Sequence, residues 1–281
     1  MKDLLVAFQG ESGAYSELAA FEYFGEDIAT LPCSSFEVVF QSVDQDESGL
    51  GLLPVENSLA GSIHRNYDLM LRHDLFIVGE YHLRVSHCLM ALPGVQIDDI
   101  RSVHSHPQAL AQCEANLTRM QVERFSEADT AGSARIIRDR GNRQSAALAS
   151  KRAANVYQLE ILAENMEDNP ANFTRFLAVA QKPVAIMNPE APDFKTSVVF
   201  SLDNKPGALF KALSVFALRD LDLTKIESRP VPGKPWEYLF YVDFLGHAEA
   251  ENCRRALEHL GELAPFLRLL GSYPRHNKFN N

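Results

Sequence analysis

Asn172-Phe173-Thr174-Arg175-Phe176 places an uncharged hydroxyl beside a guanidinium, between two aromatic rings. Arg offers five donors in a planar fork that suits a carboxylate. A Thr hydroxyl can donate or accept one contact. The pair suits a small acid whose own hydroxyl must be handled. The plain alternative is a turn with a surface Arg, because polar residues are common at strand entries. Asn169-Pro170 precedes the segment and Leu177-Ala178-Val179-Ala180 follows it, which predicts a loop feeding a buried strand.

Four other polar clusters accompany it. Gly10 to Glu17 (GESGAYSE) joins an apolar run to a helical stretch, and its free N–H groups suit an anion. It is neither of the glycine patterns that cradle nucleotides, and Ser12 capping the helix explains it equally well. Pro54-Val55-Glu56-Asn57-Ser58 follows a strand, with Gly61-Ser62 just after; strand ends in α/β sheets are where ligands sit. Glu56 and Asn57 satisfying local backbone donors is the competing explanation. Ser105-His106-Pro107-Gln108, with Gln112 a turn further on, opens a helix. Ser105 as N-cap and Pro107 in the first turn account for it structurally, while His106 is a possible proton carrier. Asp129-Thr130-Ala131-Gly132-Ser133-Ala134 opens another helix, with small residues that allow close approach.

The elements that must position these clusters alternate. Strand signals at 4–8, 51–55, 75–78, 89–92, 100–103, 122–125 and 160–163 are interleaved with helical spacing at 15–24, 63–72, 107–117, 130–138 and 145–156. The pattern predicts α/β structure with mainly parallel sheets. The apolar strands 75–79 and 176–181 flank the middle of the chain and predict two lobes with a cleft between them, where small ligands prefer to bind. Three prolines between Pro183 and Pro192 predict a connection. Beyond it the order is β-α-β-β-α-β, the ferredoxin-like arrangement.

Composition narrows the function. The 281 residues suffice for two or three folding units. Net charge is −10, and it is uneven: 12 basic against 10 acidic residues from Lys195 onward, 15 against 27 before it. An acidic chain without a basic stripe argues against nucleic acid as a partner. No run reaches the ~20 apolar residues of a membrane span, and the apolar start before Gln9 is too short for a signal peptide, so cytoplasmic location is expected. Cys33, Cys88, Cys113 and Cys253 form no CxxC pair, which predicts reduced thiols and no metal site.

Taken together, GESGAYSE (10–17), PVENSLAGSI (54–63), SHPQALAQC (105–113), DTAGSA (129–134) and NFTRF (172–176) stand in the order found in prephenate dehydratases, and the chain resembles that family over essentially its whole length. Asn204-Lys205-Pro206-Gly207-Ala208-Leu209 and Glu227-Ser228-Arg229-Pro230 resemble the two phenylalanine-binding motifs of its ACT domain. No amino-terminal chorismate mutase helix is seen, as in the monofunctional bacterial form. The resemblance implies a two-lobed, periplasmic-binding-protein-like catalytic domain at 1–182. Lobe 1 takes about 1–79 plus 176–182, and lobe 2 about 80–175. A ferredoxin-like α+β ACT regulatory domain follows at 195–281.

The implied reaction converts prephenate to phenylpyruvate, carbon dioxide and water without cofactor or metal, in phenylalanine synthesis. The implied catalytic residues are Thr174, Glu56, Asn57, Ser105 and Gln112, with Thr174 assisting the leaving hydroxyl and Glu56 either a proton source or a structural acid. Arg175, Ser12, Ser58, Thr130 and Phe176 would bind substrate. Asn204, Pro206, Gly207, Ala208, Leu209 and Glu227 to Pro230 would bind L-phenylalanine as inhibitor, in homodimers paired through ACT domains that can assemble into homotetramers. Three other readings stand beside it: an arogenate dehydratase, a non-aromatising prephenate decarboxylase and a non-catalytic amino-acid sensor.

Overall fold

The structure is a computed structural model that describes residues 4–185, 188–231 and 236–276. The outer ends of the two expected domains (1–3 and 277–281), part of the Pro-rich connection (186–187) and residues 232–235 lie outside the described residues. Residues up to His73 together with Tyr81–Leu177 form one compact unit; Asp74–Glu80 and the chain from Ala178 onward form another.

The first unit holds two sheets. The chain runs β1 (Leu5–Gln9), α1 (Tyr15–Phe24), β2 (Ala29–Cys33), α2 (Phe36–Asp44), β3 (Leu50–Asn57), β4 (Gly61–Ser62), α3 (His64–Arg72) and β5 (Phe76–Arg84). It continues through β6 (Cys88–Ala91), β7 (Ser102–Ser105), α4 (Pro107–Gln112), α5 (Glu114–Met120), β8 (Glu123–Ser126), α6 (Thr130–Arg140), β9 (Ser145–Ala149), α7 (Lys151–Tyr157) and β10 (Glu160–Ala163) to β11 (Phe173–Ala180). One sheet has the order β2-β1-β3-β11-β5, with β4 on β3; the other is β10-β6-β9-β7-β8. β1 pairs parallel with β2 and β3, and β7 with β8 and β9, but β6 pairs antiparallel with β9 and β10. The second sheet is therefore mixed rather than mainly parallel.

Burial explains why the early strand readings hold and why the helix reading over 145–156 does not. Val6, Ala7, Phe8, Leu52, Leu53 and Val55 are fully buried, as strands covered on both faces must be. Residues 145–156, expected as one helix, divide into β9 and α7. All five residues of β9 are buried at the centre of the second sheet, so tertiary burial overrides the helical preference of its alanines. Ser150 accepts from Ala153 N at 3.1 Å and starts α7. The expected helix 107–117 likewise breaks at Cys113 into α4 and α5. The sequence reading places no element between 24 and 51, although Phe36, Val39, Phe40 and Val43 have the spacing of α2 and Ser35 caps it.

A buried carboxylate ties the turn after β1 to its surroundings. Glu17 accepts from Gly13 N (2.7 Å), Thr30 Oγ1 (2.9 Å) and Arg152 Nε (2.7 Å). Arg152 also lies over the Phe21 ring, 3.6 Å from its centroid.

The second unit contains β12 (Phe194–Ser201), α8 (Ala208–Ala217), β13 (Leu223–Pro230), β14 (Tyr238–Leu245), α9 (Glu251–Leu263) and β15 (Phe266–Pro274). The sheet order β13-β14-β12-β15 is the ferredoxin-like one. Val198, Phe200, Val242 and Phe244 point to one face and pack with Ala212, Val215, Phe216 and Leu260 of the two helices. Within this unit Lys195 Nζ meets both Glu80 oxygens, at 2.7 and 2.9 Å, and both residues are buried.

Candidate active site

A cavity of about 380 Å³ lies in the first unit, where the end of β3, the start of β11 and the first turns of α1, α4 and α6 meet. Thr174 lies in its wall, 9% exposed. Asn57 donates from Nδ2 to Thr174 Oγ1 (3.0 Å) and to Asn172 Oδ1 (2.8 Å), while its Oδ1 accepts from Leu59 N (3.1 Å) and Ala60 N (2.9 Å). The Thr174 oxygen is thus an acceptor within the protein, which strengthens its O–H as a donor outward. Gln112 Oε1 accepts from Asn172 Nδ2 (3.1 Å) and faces His87 Nε2 (2.9 Å). With Oε1 so occupied, the Gln112 amide NH₂ remains for the cavity that the residue lines.

Donors for an anion in this cavity come from backbone and amides rather than from cationic side chains. No Lys or Arg lines it among the described residues. α1 begins behind Ala14, which has no side chain to cap it, so its first N–H groups stand at the wall formed by Ala14, Tyr15 and Ser16. α6 also starts at the wall, at Asp129 and Thr130, but the Asp129 carboxylate accepts from Gly132 N at 2.6 Å and already caps it. An uncapped start such as that of α1 favours anions. Other chemistries fit poorly. No group of three metal-ligating side chains exists among the described residues. All four cysteines are buried, and burial pushes the Cys88 thiol up to about 11, far from a thiolate nucleophile.

The sequence family described as "Prephenate dehydratase" matches residues 6–184, and "ACT domain" matches 196–262. The chain belongs to the prephenate dehydratase family. It is 48% identical to "Arogenate dehydratase/prephenate dehydratase 1, chloroplastic" of Arabidopsis thaliana over 283 residues, covering 96% of this chain and 71% of that protein. It is similar to the solved prephenate dehydratase of Arthrobacter aurescens in complex with L-Phe, at TM-score 0.88 and 31% identity, over 98% of this chain and 91% of that one. It is also similar to a solved protein described as "GqqA, a novel type of quorum quenching acylases", at TM-score 0.92 and 38% identity, over 98% and 100%. The family makes the chain an enzyme of the prephenate/arogenate dehydratase type.

Of the residues expected at a prephenate dehydratase site, Asn57, Gln112, Thr130, Thr174 and Phe176 line the cavity together. The others stand away from it. Strand alternation turns Thr174 and Phe176 to the cavity and Arg175 to the opposite face, where it is buried. Direct capture of a substrate carboxylate by Arg175 is not what this geometry offers. Ser105 is fully buried and its hydroxyl donates to Leu148 O at 2.6 Å, a tie inside the second sheet. Ser58 Oγ donates to Ala171 O (2.8 Å) and accepts from Phe173 N (2.9 Å), pinning the start of β11. Glu56 is half-buried beside Ser62 on β4, away from the wall. Ser12 lines a neighbouring cavity, bounded like the first by Gly10 and Asp129. Tyr15 and Asn172 belong to the site and lie inside two of the motifs, although neither carries a role in the sequence reading; His87 lies outside all of them, because its partners Tyr15 and Gln112 are 72 and 25 positions away.

In the second unit, Asn204, Lys205, Ala208 and Leu209 line a cavity of about 120 Å³ with Trp236 and Tyr238. Pro206 and Gly207 lie in the same turn without lining the cavity, and Gly207 takes φ +79° at the cap of α8, a conformation that favours glycine. Glu227, Ser228, Arg229 and Pro230 do not line it. They run along β13, the edge strand, with Ser228 opposite Phe240, which does.

Proposed function

We propose that the chain is a prephenate dehydratase, and the hydrogen bond from Asn57 to Thr174 at the cavity wall carries the reading. In the reaction the ring carboxylate leaves as carbon dioxide. The electrons of that C–C bond enter the ring as it becomes aromatic, and the C–O bond to the ring hydroxyl breaks. The departing oxygen takes up a proton and leaves as water. Thr174, with its oxygen held by Asn57, donates a hydrogen bond to that oxygen as charge develops. Solvent supplies the net proton, because a Thr hydroxyl is too weak an acid to give up its own outright. The uncapped N–H groups at the start of α1 orient a carboxylate, and the Gln112 NH₂ adds a fixed donor.

Arogenate, which carries an amino group in place of the ketone, is the second reading. It draws support from the cavity's one carboxylate, Asp129, and from the name of the plant relative. Incubating the chain with each compound separates them. Faster phenylpyruvate formation from prephenate supports the first reading, faster phenylalanine formation from arogenate the second, and turnover of neither overturns both.

Residues 195–281 form the regulatory domain in this proposal, and L-phenylalanine binds at the 204–209 turn as feedback inhibitor. The α8 start offers N–H groups to its carboxylate, and the Arthrobacter aurescens relative was solved with L-Phe. Glu227 to Pro230, on an edge strand outside this cavity, fit the closing of the site by a second ACT domain in a homodimer.

A further inference from the structure

We propose that His87 is a positioning residue: its Nε2–H, held in place by Tyr15, keeps the Gln112 oxygen turned inward and steadies, through Asn172, the Asn57 amide that binds Thr174. The inference rests on the dehydratase reading of the cavity.

The bond directions follow from one end of the chain. Backbone N–H groups are donors only. Leu59 N and Ala60 N both point at one atom of Asn57, so that atom is the oxygen and the Asn57 NH₂ faces Thr174 and Asn172. Asn172 must then present its oxygen to Asn57 and its NH₂ to Gln112 (3.1 Å). Gln112 must therefore present its oxygen, and this oxygen also faces His87 Nε2 at 2.9 Å. Two acceptors cannot face each other, so Nε2 carries a proton. Burial holds the ring neutral by lowering its pKa, which leaves Nδ1 as an acceptor. Tyr15 OH lies 2.7 Å from Nδ1, and burial pushes its pKa well up, so the phenol keeps its proton and donates it. The Ser86 carbonyl, 3.0 Å from the same hydroxyl, is the alternative acceptor that Tyr15 gives up in this arrangement.

The run Tyr15–His87–Gln112–Asn172–Asn57–Thr174 therefore has one self-consistent direction, anchored by backbone donors at one end and a phenol at the other. Its output is twofold. The Thr174 oxygen always receives a hydrogen bond, and the Gln112 NH₂ always faces the cavity. Without the His87 donor, only the Asn172 NH₂ holds the Gln112 oxygen inward. When the amide turns, Asn172 loses the acceptor that aligns it with Asn57.

The test compares His87→Leu, which removes the donor, with His87→Gln, whose amide NH₂ stands near the position of Nε2. His87→Leu should lower kcat at least ~10-fold with little change in KM, since the misdirected group acts in the transition state. His87→Gln should recover most of that loss; equal rates in wild type and His87→Leu, or equal losses in the two variants, overturn the proposal. ¹⁵N NMR of the histidine-labelled wild-type chain reads the tautomer directly and does not depend on either variant folding. A neutral ring protonated at Nε2 is expected, and a proton on Nδ1 overturns the proposal. A wild type that turns over neither prephenate nor arogenate overturns the dehydratase reading instead, and the NMR result still decides the tautomer.

Discussion

At the scale of single residues, the site is a hydroxyl held by amides. Asn57 fixes the Thr174 oxygen at 3.0 Å, so the chemical demand falls on the Thr174 O–H. Thr174→Ala should lower kcat by ~10²-fold or more with KM nearly unchanged, and Thr174→Ser should retain more activity. Steady-state kinetics check this, and near-normal kcat in Thr174→Ala removes the hydroxyl from the mechanism. His87 supports a second prediction. Burial lowers its pKa from the ordinary 6.5, so on acidification the unfolded chain takes up this proton before the folded one does. The neutral ring's contribution is complete above the unfolded value and is lost as the pH falls below it towards the folded value. In urea titrations, wild-type stability relative to His87→Gln should fall between about pH 7.5 and about pH 5.5. A constant difference would mean that the folded ring titrates normally.

At the scale of elements, the site depends on how closely the turn after β1 approaches α7. Gly13 has φ +91°, and a Cβ built on it would lie 2.8 Å from Ala153 Cα, a backbone atom that cannot yield cheaply. Ser150 Oγ donates to Gly13 O at 2.5 Å, fixing the same contact. Gly13→Ala should destabilise the chain by about 1–3 kcal/mol, measured by urea unfolding. Gly61→Ala is the control: its φ of +84° is strained for alanine, but nothing lies within 4 Å of the added carbon. Its cost should be the backbone term alone, about 1 kcal/mol. Equal costs would show that the approach to α7 matters little. Long, periodic elements such as α6, α9 and β14 were legible in the sequence. The alanine-rich β9 was not, because what makes it a strand is burial between β6 and β7, supplied by residues about fifty positions away.

At the scale of the whole molecule, the sequence divides into an acidic part and a near-neutral one, and the proposed regulation couples them. Inhibition requires phenylalanine to favour one conformation over another, with a coupling of about 1–3 kcal/mol. Gly207 caps α8 at φ +79°, where a β-branched residue is strongly strained. Gly207→Val should abolish phenylalanine binding in calorimetry and the response of initial rates to phenylalanine. Unaltered inhibition in that variant would move the effector site away from the 204–209 turn.

The order of five polar motifs, the α/β alternation and the β-α-β-β-α-β finish were all determined by the sequence, because periodicity and turn chemistry are local properties. Which members of those motifs face the cavity was decided by tertiary structure. Thr174 and Arg175 are neighbours in sequence and occupy opposite faces of β11, since alternation sends successive side chains to opposite sides. Ser105 has the residue type for a site, yet its hydroxyl is taken by Leu148, 43 positions on. His87 lies outside all five motifs and enters through Tyr15 and Gln112, 72 and 25 positions away. A hydrogen bond is set by distance and direction in space, and at such separations only the folded chain determines either.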